Sequence, residues 1–168
     1  MKLRDAHPGD EQAVAEVHVR AWKVAYRGLL PDDYLDALTP ATRAAGYEFG
    51  DSGEGSPRTV LALDRGSIVG FSTFGPSRDE DALAAGELYA LYIDPERWRS
   101  GAGRLLLAET RRRLRQAGHA EAILWVLVGN RSAERFYLAD GWRADGGRRW
   151  EDPWGVRSEV VRYRRALP

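Results

Sequence analysis

The chain contains no cysteine and a single methionine in 168 residues. The first absence excludes thiol nucleophiles, disulfides and thiolate metal sites together. The three histidines, His7, His18 and His119, are scattered without metal-ligand spacing, so no metal is expected. Charge of one sign is not in excess either. Lys plus Arg and Asp plus Glu number 25 each, so no global field gathers nucleic acid or an anionic membrane, neither is expected as a partner, and any anion must be bound locally. No segment approaches the roughly 20 apolar residues of a membrane span. The start, Met1-Lys-Leu-Arg-Asp-Ala-His7, has no apolar run behind its basic residues. A cytoplasmic location is the default expectation. The length and the 43% hydrophobic composition suffice for one sizeable core but not two, so a single domain over 1–168 is expected.

Periodicity then orders the elements. A short strand from Leu3 stops at His7-Pro8-Gly9, and Asp10 is placed to cap a helix to about Arg27 with Ala13, Val14, Val17, Ala21, Trp22 and Ala25 on one face. Pro31 suits the first turn of a second helix carrying Tyr34, Leu35 and Leu38, and Thr39-Pro40 introduces a third stretch to about Phe49. Residues 51–57 form a polar, glycine-rich connector. Residues 59–63 and 68–74 flank Asp64-Arg65-Gly66-Ser67 as a hairpin. Residues 87–93 are rich in strand formers and apolar on both faces, as a central strand requires. Residues 101–117 read as an amphipathic helix with Leu105, Leu106, Ala108 and Leu114 among its apolar positions. Residues 120–128 form the next strand. Asn130 caps a helix holding Ala133, Phe136, Tyr137 and Ala139, and Gly141 ends it. Residues 142–150 and 156–163 close the chain as a strand pair around 151–155. The fold class is α/β (α+β): a mixed, mostly antiparallel central sheet flanked by helices.

The stretch Leu91-Tyr-Ile-Asp-Pro-Glu-Arg-Trp-Arg-Ser-Gly-Ala-Gly-Arg104 runs from a strand through a turn into a glycine-opened helix. N–H groups at such a start have no helical partner and the dipole adds positive potential, so the turn can cradle a pyrophosphate. Gly101 and Gly103 admit phosphate oxygens to the main chain, and Arg99 and Arg104 add charge. By itself the pattern serves a phosphate site and an empty strand-to-helix turn equally. A dinucleotide fingerprint fits less well, because its third glycine would fall at Leu106.

Trp98-Arg99-Ser100-Gly101-Ala102-Gly103 resembles the coenzyme A loop, Gln/Arg-x-x-Gly-x-Gly/Ala, of the GCN5-related N-acetyltransferase superfamily. Asn130-Arg-Ser-Ala133-Glu-Arg-Phe136-Tyr137 followed by Gly141-Trp142 is similar to its second element, and the opening from Arg4 with Ala25-Tyr26-Arg27-Gly28-Leu-Leu-Pro31 looks like a common variety of it. Trp98 departs from the family's Gln or Arg. The resemblance implies a fold with a splayed strand pair: the 87–93 strand parts from its neighbour ending at Val128, and the pantetheine arm of acetyl-CoA pairs with main chain at Leu91 and Ile93. With Tyr92, Arg99, Ser100, Gly101, Ala102, Gly103, Arg104 and Asn130 these residues make the expected cofactor contacts, the N–H of Leu91 facing the thioester carbonyl.

Aminolysis of a thioester needs a base and an acid. Glu87 is the candidate base, on the assumption that 87, 89, 91 and 93 share one side of the strand; its alternative is a polar residue at a strand start. Tyr137 matches the family's proton donor to the leaving sulfur; its alternative is a core aromatic. No acetyl-enzyme is expected, since there is neither cysteine nor a Gly-x-Ser-x-Gly elbow. Tyr26, Leu30 and Tyr34 are the candidate acceptor-binding residues, with Trp22 read as core, and Asp32, Asp33 and Asp36 offer either attraction for a cation or ordinary helix-start acids. Arg111, Arg112, Arg113 and Arg115 spread around a solvated helix face. The expected activity is transfer of acetyl from acetyl-CoA to a primary amine of a small molecule. The alternatives are a protein N-terminus or lysine as acceptor and a non-catalytic acyl-CoA sensor. The closing segment with Trp150 and Trp154 offers either a homodimer surface or a cover for the core.

Overall fold

The computed structural model describes the chain except for Asp51, Ser52, Glu54, Pro153 and Trp154. The readings of the 51–57 connector, of the 151–155 turn and of Trp154 therefore fall partly or wholly outside the described residues. Strand β1 (Lys2–Asp5) is followed by helices α1 (Glu11–Ala25), α2 (Asp32–Ala37) and α3 (Pro40–Ala44). Strands β2 (Arg58–Asp64), β3 (Ser67–Pro76) and β4 (Gly86–Ile93) come next, then α4 (Ala102–Gln116), β5 (Glu121–Leu127), α5 (Arg131–Ala139), β6 (Arg143–Glu151) and β7 (Ser158–Ala166). The β2–β3 turn places Arg65 and Gly66 at φ of 51° and 88°, the mirror-image turn whose twist matches that of the flanking strands.

The seven strands form one sheet in the order β1-β2-β3-β4-β5-β7-β6. Every pair is antiparallel except β4–β5, which needs a crossover, and α4 supplies it. Adjacent residues of a strand face opposite sides. Phe71 of β3 packs with Val14 and Val17 of α1, while its neighbour Ser72 accepts a hydrogen bond from Thr110 of α4 at 3.0 Å. The sheet is thus covered by α1 on one face and α4 on the other, and the larger core lies under α4 and α5 around Leu88, Leu106, Leu107, Leu124 and Trp142.

Three local expectations are corrected. The buried stripe of α4 is Ala102, Leu106, Leu107, Thr110 and Leu114, and Leu105 and Ala108 are exposed. A polar residue belongs to the stripe because Ser72 satisfies its hydroxyl, which hydrophobic spacing alone does not register. The side chain of Asp10 makes no cap bond to its own helix; it accepts instead from both terminal nitrogens of Arg4 at 2.7 and 2.8 Å and from the N–H of His7 at 2.8 Å. The third helix ends at Ala44 rather than near Phe49, because Tyr47 and Phe49, stacked at 5.3 Å, are drawn onto the Val14–Phe71 cluster.

Leu106 is fully buried between α4 and the sheet. Leu106→Ala should lower unfolding stability by roughly 3 kcal/mol, read as a reduced urea midpoint with an unchanged slope.

Candidate active site

Strands β4 and β5 pair only at Gly86–Ala122, Glu87–Ile123 and Leu88–Leu124. Beyond that point β4 stays with β3 as far as Ile93 and β5 stays with β7 as far as Leu127. The two part, and a cavity of about 830 Å³ opens between them. Its wall includes residues 88–93 of β4, 124–127 of β5, Tyr26, Arg97, Trp98, Arg99, Gly101, Gly103, Arg104, Asn130, Phe136 and Tyr137. The N–H of Asp94 bonds to the carbonyl of Val69 on β3. Alternation along the strand therefore turns the main-chain polar groups of Leu91 and Ile93 toward the gap. The indole N–H of Trp98 donates to the Ile93 carbonyl at 2.9 Å.

The turn into α4 carries two residues in the left-handed region, Arg99 at φ 64° and Gly101 at φ 93°. Glycine tolerates this and arginine does so at a cost of order 1 kcal/mol. Among the described residues the N–H groups of Arg99, Gly101, Gly103 and Arg104 find no acceptor, while that of Ala102 reaches the Ser100 hydroxyl at 3.4 Å. Unpartnered donors at the start of a fifteen-residue helix form an anion cradle. Ser100 serves the helix start and Ala102 is buried, so neither lies on the cavity wall. At Gly103 the absent side chain has a second use, since a Cβ there would lie 3.3 Å from the Phe136 ring. Asn130 accepts from the N–H of Ala133 at 3.2 Å as the cap of α5 and also borders the cavity.

Glu87 and Leu91 do not share a side of β4. On β3, Phe74 pairs with Leu88 and Thr73 with Ala90, so Tyr89 is the extra residue of a β-bulge and alternation resets there. Leu88, Leu91 and Ile93 face the α4 core, and Ala90 and Tyr92 face the α1 side. Glu87, adjacent to Leu88, falls on the α1 side. It is 1% exposed, and its carboxylate accepts from the Arg78 N–H at 2.9 Å and the Arg78 guanidinium at 2.8 Å. Tyr92 contributes its ring to that same side, stacked on His18 at 4.9 Å, and its main chain points to β3.

Tyr137 sits in the wall of the gap, packed edge-on against Phe136 at 5.2 Å. Burial, reinforced by the nearby Tyr92 phenol, pushes its pKa well above that of an ordinary tyrosine, so the hydroxyl keeps its proton.

Comparison with known proteins now decides the family. A profile described as "Acetyltransferase (GNAT) family" matches residues 17–142. The chain belongs to that family. It is 38% identical over 133 residues to the uncharacterized N-acetyltransferase YuaI of Bacillus subtilis, covering 77% of this chain and 73% of that one. The fold is similar to that of PaiA N-acetyltransferase from Thermoplasma acidophilum, solved with coenzyme A, at a TM-score of 0.71 and 19% identity over 98% of each chain. It is also similar to yncA of Salmonella typhimurium, solved with acetyl-CoA, at a TM-score of 0.72 and 18% identity over 100% of this chain and 94% of that one. The enzyme is an acetyltransferase, and the splayed sheet is the fold of its family.

A second cavity of about 500 Å³ adjoins the first in this acetyltransferase. Tyr26, Leu88, Tyr89, Ala90, Tyr92, Trp125 and Leu127 border both. Glu87, Trp22 and Leu30 border only the second and Leu91 only the first. The hydroxyls of Tyr26 and Tyr92 lie 3.4 Å apart, and burial raises the pKa of both. His18 forms part of this wall, bonded through Nδ1 to the Tyr47 hydroxyl at 2.5 Å. Burial, aided by the Arg43 charge, lowers its pKa to about 3, so it is neutral above that pH. Tyr34 is not part of either wall; it packs on Trp22, Leu30 and Leu35. Asp32 and Asp36 pair with Arg27 at 3.1 and 2.9 Å, and Asp33 accepts from the Tyr34 N–H. Sequence reasoning missed Arg78, Asp79, Trp125, Arg149 and Glu151, which the sheet brings together around the second cavity; no spacing in the chain links them. Among the described residues no cluster of His, Asp and Glu is suited to a metal, and no helix is long and apolar enough to cross a membrane.

Gly101→Asp puts a carboxylate on the cradle and a side chain at positive φ, and should abolish coenzyme A binding in a calorimetric titration while the circular dichroism spectrum is unchanged. Trp98→Phe keeps the ring and deletes one hydrogen bond. Coenzyme A affinity should fall about five-fold, the effect of losing roughly 1 kcal/mol.

Proposed function

We propose that the protein is a single N-acetyltransferase domain that transfers acetyl from acetyl-CoA to a primary amine of a small molecule, by direct attack with both substrates bound. The observation that carries this reading is the junction of two cavities at the parted strands. One has an anion cradle at its mouth and main-chain donors along its side, and the other carries a buried carboxylate. The residues of the first fit acetyl-CoA. The free N–H groups of 99, 101, 103 and 104 suit its pyrophosphate, Arg99 and Arg104 add charge, and the gap-facing groups of Leu91 and the N–H of Ile93 suit an amide-bearing arm. The similar folds solved with coenzyme A and acetyl-CoA support the same donor.

Acetyl-CoA supplies the thioester; the chain supplies charge and proton management around it. The Leu91 N–H stabilises the negative charge that develops on the carbonyl oxygen, the role in which a fixed donor is most effective. Glu87 faces the second cavity and takes the proton of the incoming ammonium. Because Arg78 holds that carboxylate, the proton travels through water rather than by direct contact. Tyr137, kept protonated by burial, gives its proton to the leaving sulfur and regains one from the second proton that the nitrogen sheds as the amide forms. A second cavity of about 500 Å³ matches the size of a small acceptor.

Calorimetric titration with acetyl-CoA, followed by thiol release across polyamines, aryl amines, amino acids and short peptides, tests the reading. Binding with release for one amine class is expected, and failure to bind acetyl-CoA overturns it. Tyr137→Phe should lower kcat by about 100-fold, at the weak end of a general-acid contribution, with acetyl-CoA affinity nearly unchanged. Glu87→Gln should lower kcat by about 100-fold, the weak end of a general-base contribution, with acetyl-CoA affinity nearly unchanged; an unaltered kcat excludes Glu87 as the base.

A further inference from the structure

The carboxylates around the second cavity are already occupied. Both oxygens of Glu87 are held by Arg78. Asp79 accepts from Arg149 at 2.6 Å, from Arg162 at 3.0 Å and from the Trp125 indole at 3.1 Å. Glu151 accepts from Arg149 Nε at 2.7 Å. The acids of the α1–α2 turn, Asp32 and Asp36, are likewise paired, with Arg27. A second ammonium entering here would meet carboxylates already bonded to guanidinium groups, and would have to displace one of those bonds to gain a partner. Apart from His18 and Ser158, the other described residues of the wall are apolar or aromatic, among them Trp22, Tyr26, Tyr92, Leu30 and Val156. The two arginines also present planar faces, Arg78 lying 4.1 Å over the Tyr89 ring and Arg149 3.9 Å over Trp125.

From this pairing we propose that the acceptor is a monoamine carried on a flat apolar body, and that polyamines and lysine-rich peptides are poor acceptors. The inference rests on the reading of the second cavity as the acceptor side. It adds to that reading a discrimination: ring surface retains the acceptor body, while the occupied carboxylates give no reward for additional positive charge. Arg149 is the residue that enforces the discrimination, since it covers Glu151 and one oxygen of Asp79.

The test measures kcat/KM at saturating acetyl-CoA for 2-phenylethylamine, spermidine and a short lysine-rich peptide, in the full chain and in Arg149→Gln. The native protein should prefer 2-phenylethylamine to spermidine and to the peptide by about ten-fold or more, because only the ring amine finds matching surface. Arg149→Gln uncovers Glu151 and should narrow the preference over spermidine several-fold, by the attraction of a freed carboxylate. Spermidine or the peptide used as well as 2-phenylethylamine by the native protein overturns the proposal, as does a folded Arg149→Gln protein with an unchanged ratio. If Arg149→Gln does not fold, the native ratios alone decide. Thiol release confined to another amine class overturns this inference and leaves acetyl transfer standing, whereas release with no amine at all defeats both.

Discussion

The parting of β4 from β5 is the constraint on which the rest depends. Sheet pairing normally satisfies main-chain groups on both sides of a central strand, and leaving one unpaired away from water costs about 1–3 kcal/mol. Here pairing ends at Leu88–Leu124, one residue before the bulge at Tyr89. A bulge increases local twist. With β4 held to β3 and β5 held to β7, extra twist at Tyr89 separates the two strands instead of breaking either partnership. The gap is therefore built from bonds made on its two flanks, and the groups left facing it are fixed in direction before anything binds.

The turn that closes the mouth of the gap obeys the same logic. Two left-handed residues within three positions aim successive N–H groups outward and away from helical partners, at the cost of strain at Arg99. The bond from Trp98 to the Ile93 carbonyl ties the residue just before that strain to the end of β4. The departure from the family's Gln or Arg at this position is thus compatible with an ordered loop, because an indole N–H supplies a donor to the strand. It also occupies one lone pair of the carbonyl nearest the mouth, leaving Ile93 mainly its N–H for a bound arm.

Most elements were legible because their signals are local. Gly141 after an amphipathic run, Asn130 before it, and Arg65-Gly66 between strand-like stretches each fix their element through a few neighbouring residues. The anion cradle was legible for the same reason, being contiguous from Trp98 to Arg104. What the sequence concealed depends on long-range geometry. A bulge is one residue of slip, visible only against the partner strand, so the side on which Glu87 falls was misassigned. Tyr34 looked like a pocket residue beside Tyr26, yet α2 turns it onto Trp22 and Leu35. Arg78 meets Glu87 across the β3–β4 connection, but Arg149 and Glu151 come to Asp79 only because β6 and β7 return beside β5, and no periodicity announces that meeting.

The misassigned side carries a mechanistic argument. On a regular strand Glu87 and Leu91 would project together, and the carboxylate would share the donor cavity with the developing oxyanion, where like charge opposes it. The bulge resets the alternation so that the carboxylate lies with the acceptor cavity and the Leu91 side chain with the core of the donor side, only four residues apart. In the proposed mechanism the negative charge that relieves an ammonium of its proton then lies on the α1 face of the strand, while the N–H that meets the oxyanion points along the sheet into the gap. Arg78 fixes that carboxylate on the α1 side through its N–H and its guanidinium. On the proposed mechanism, the bulge that opens the sheet also keeps base and oxyanion apart.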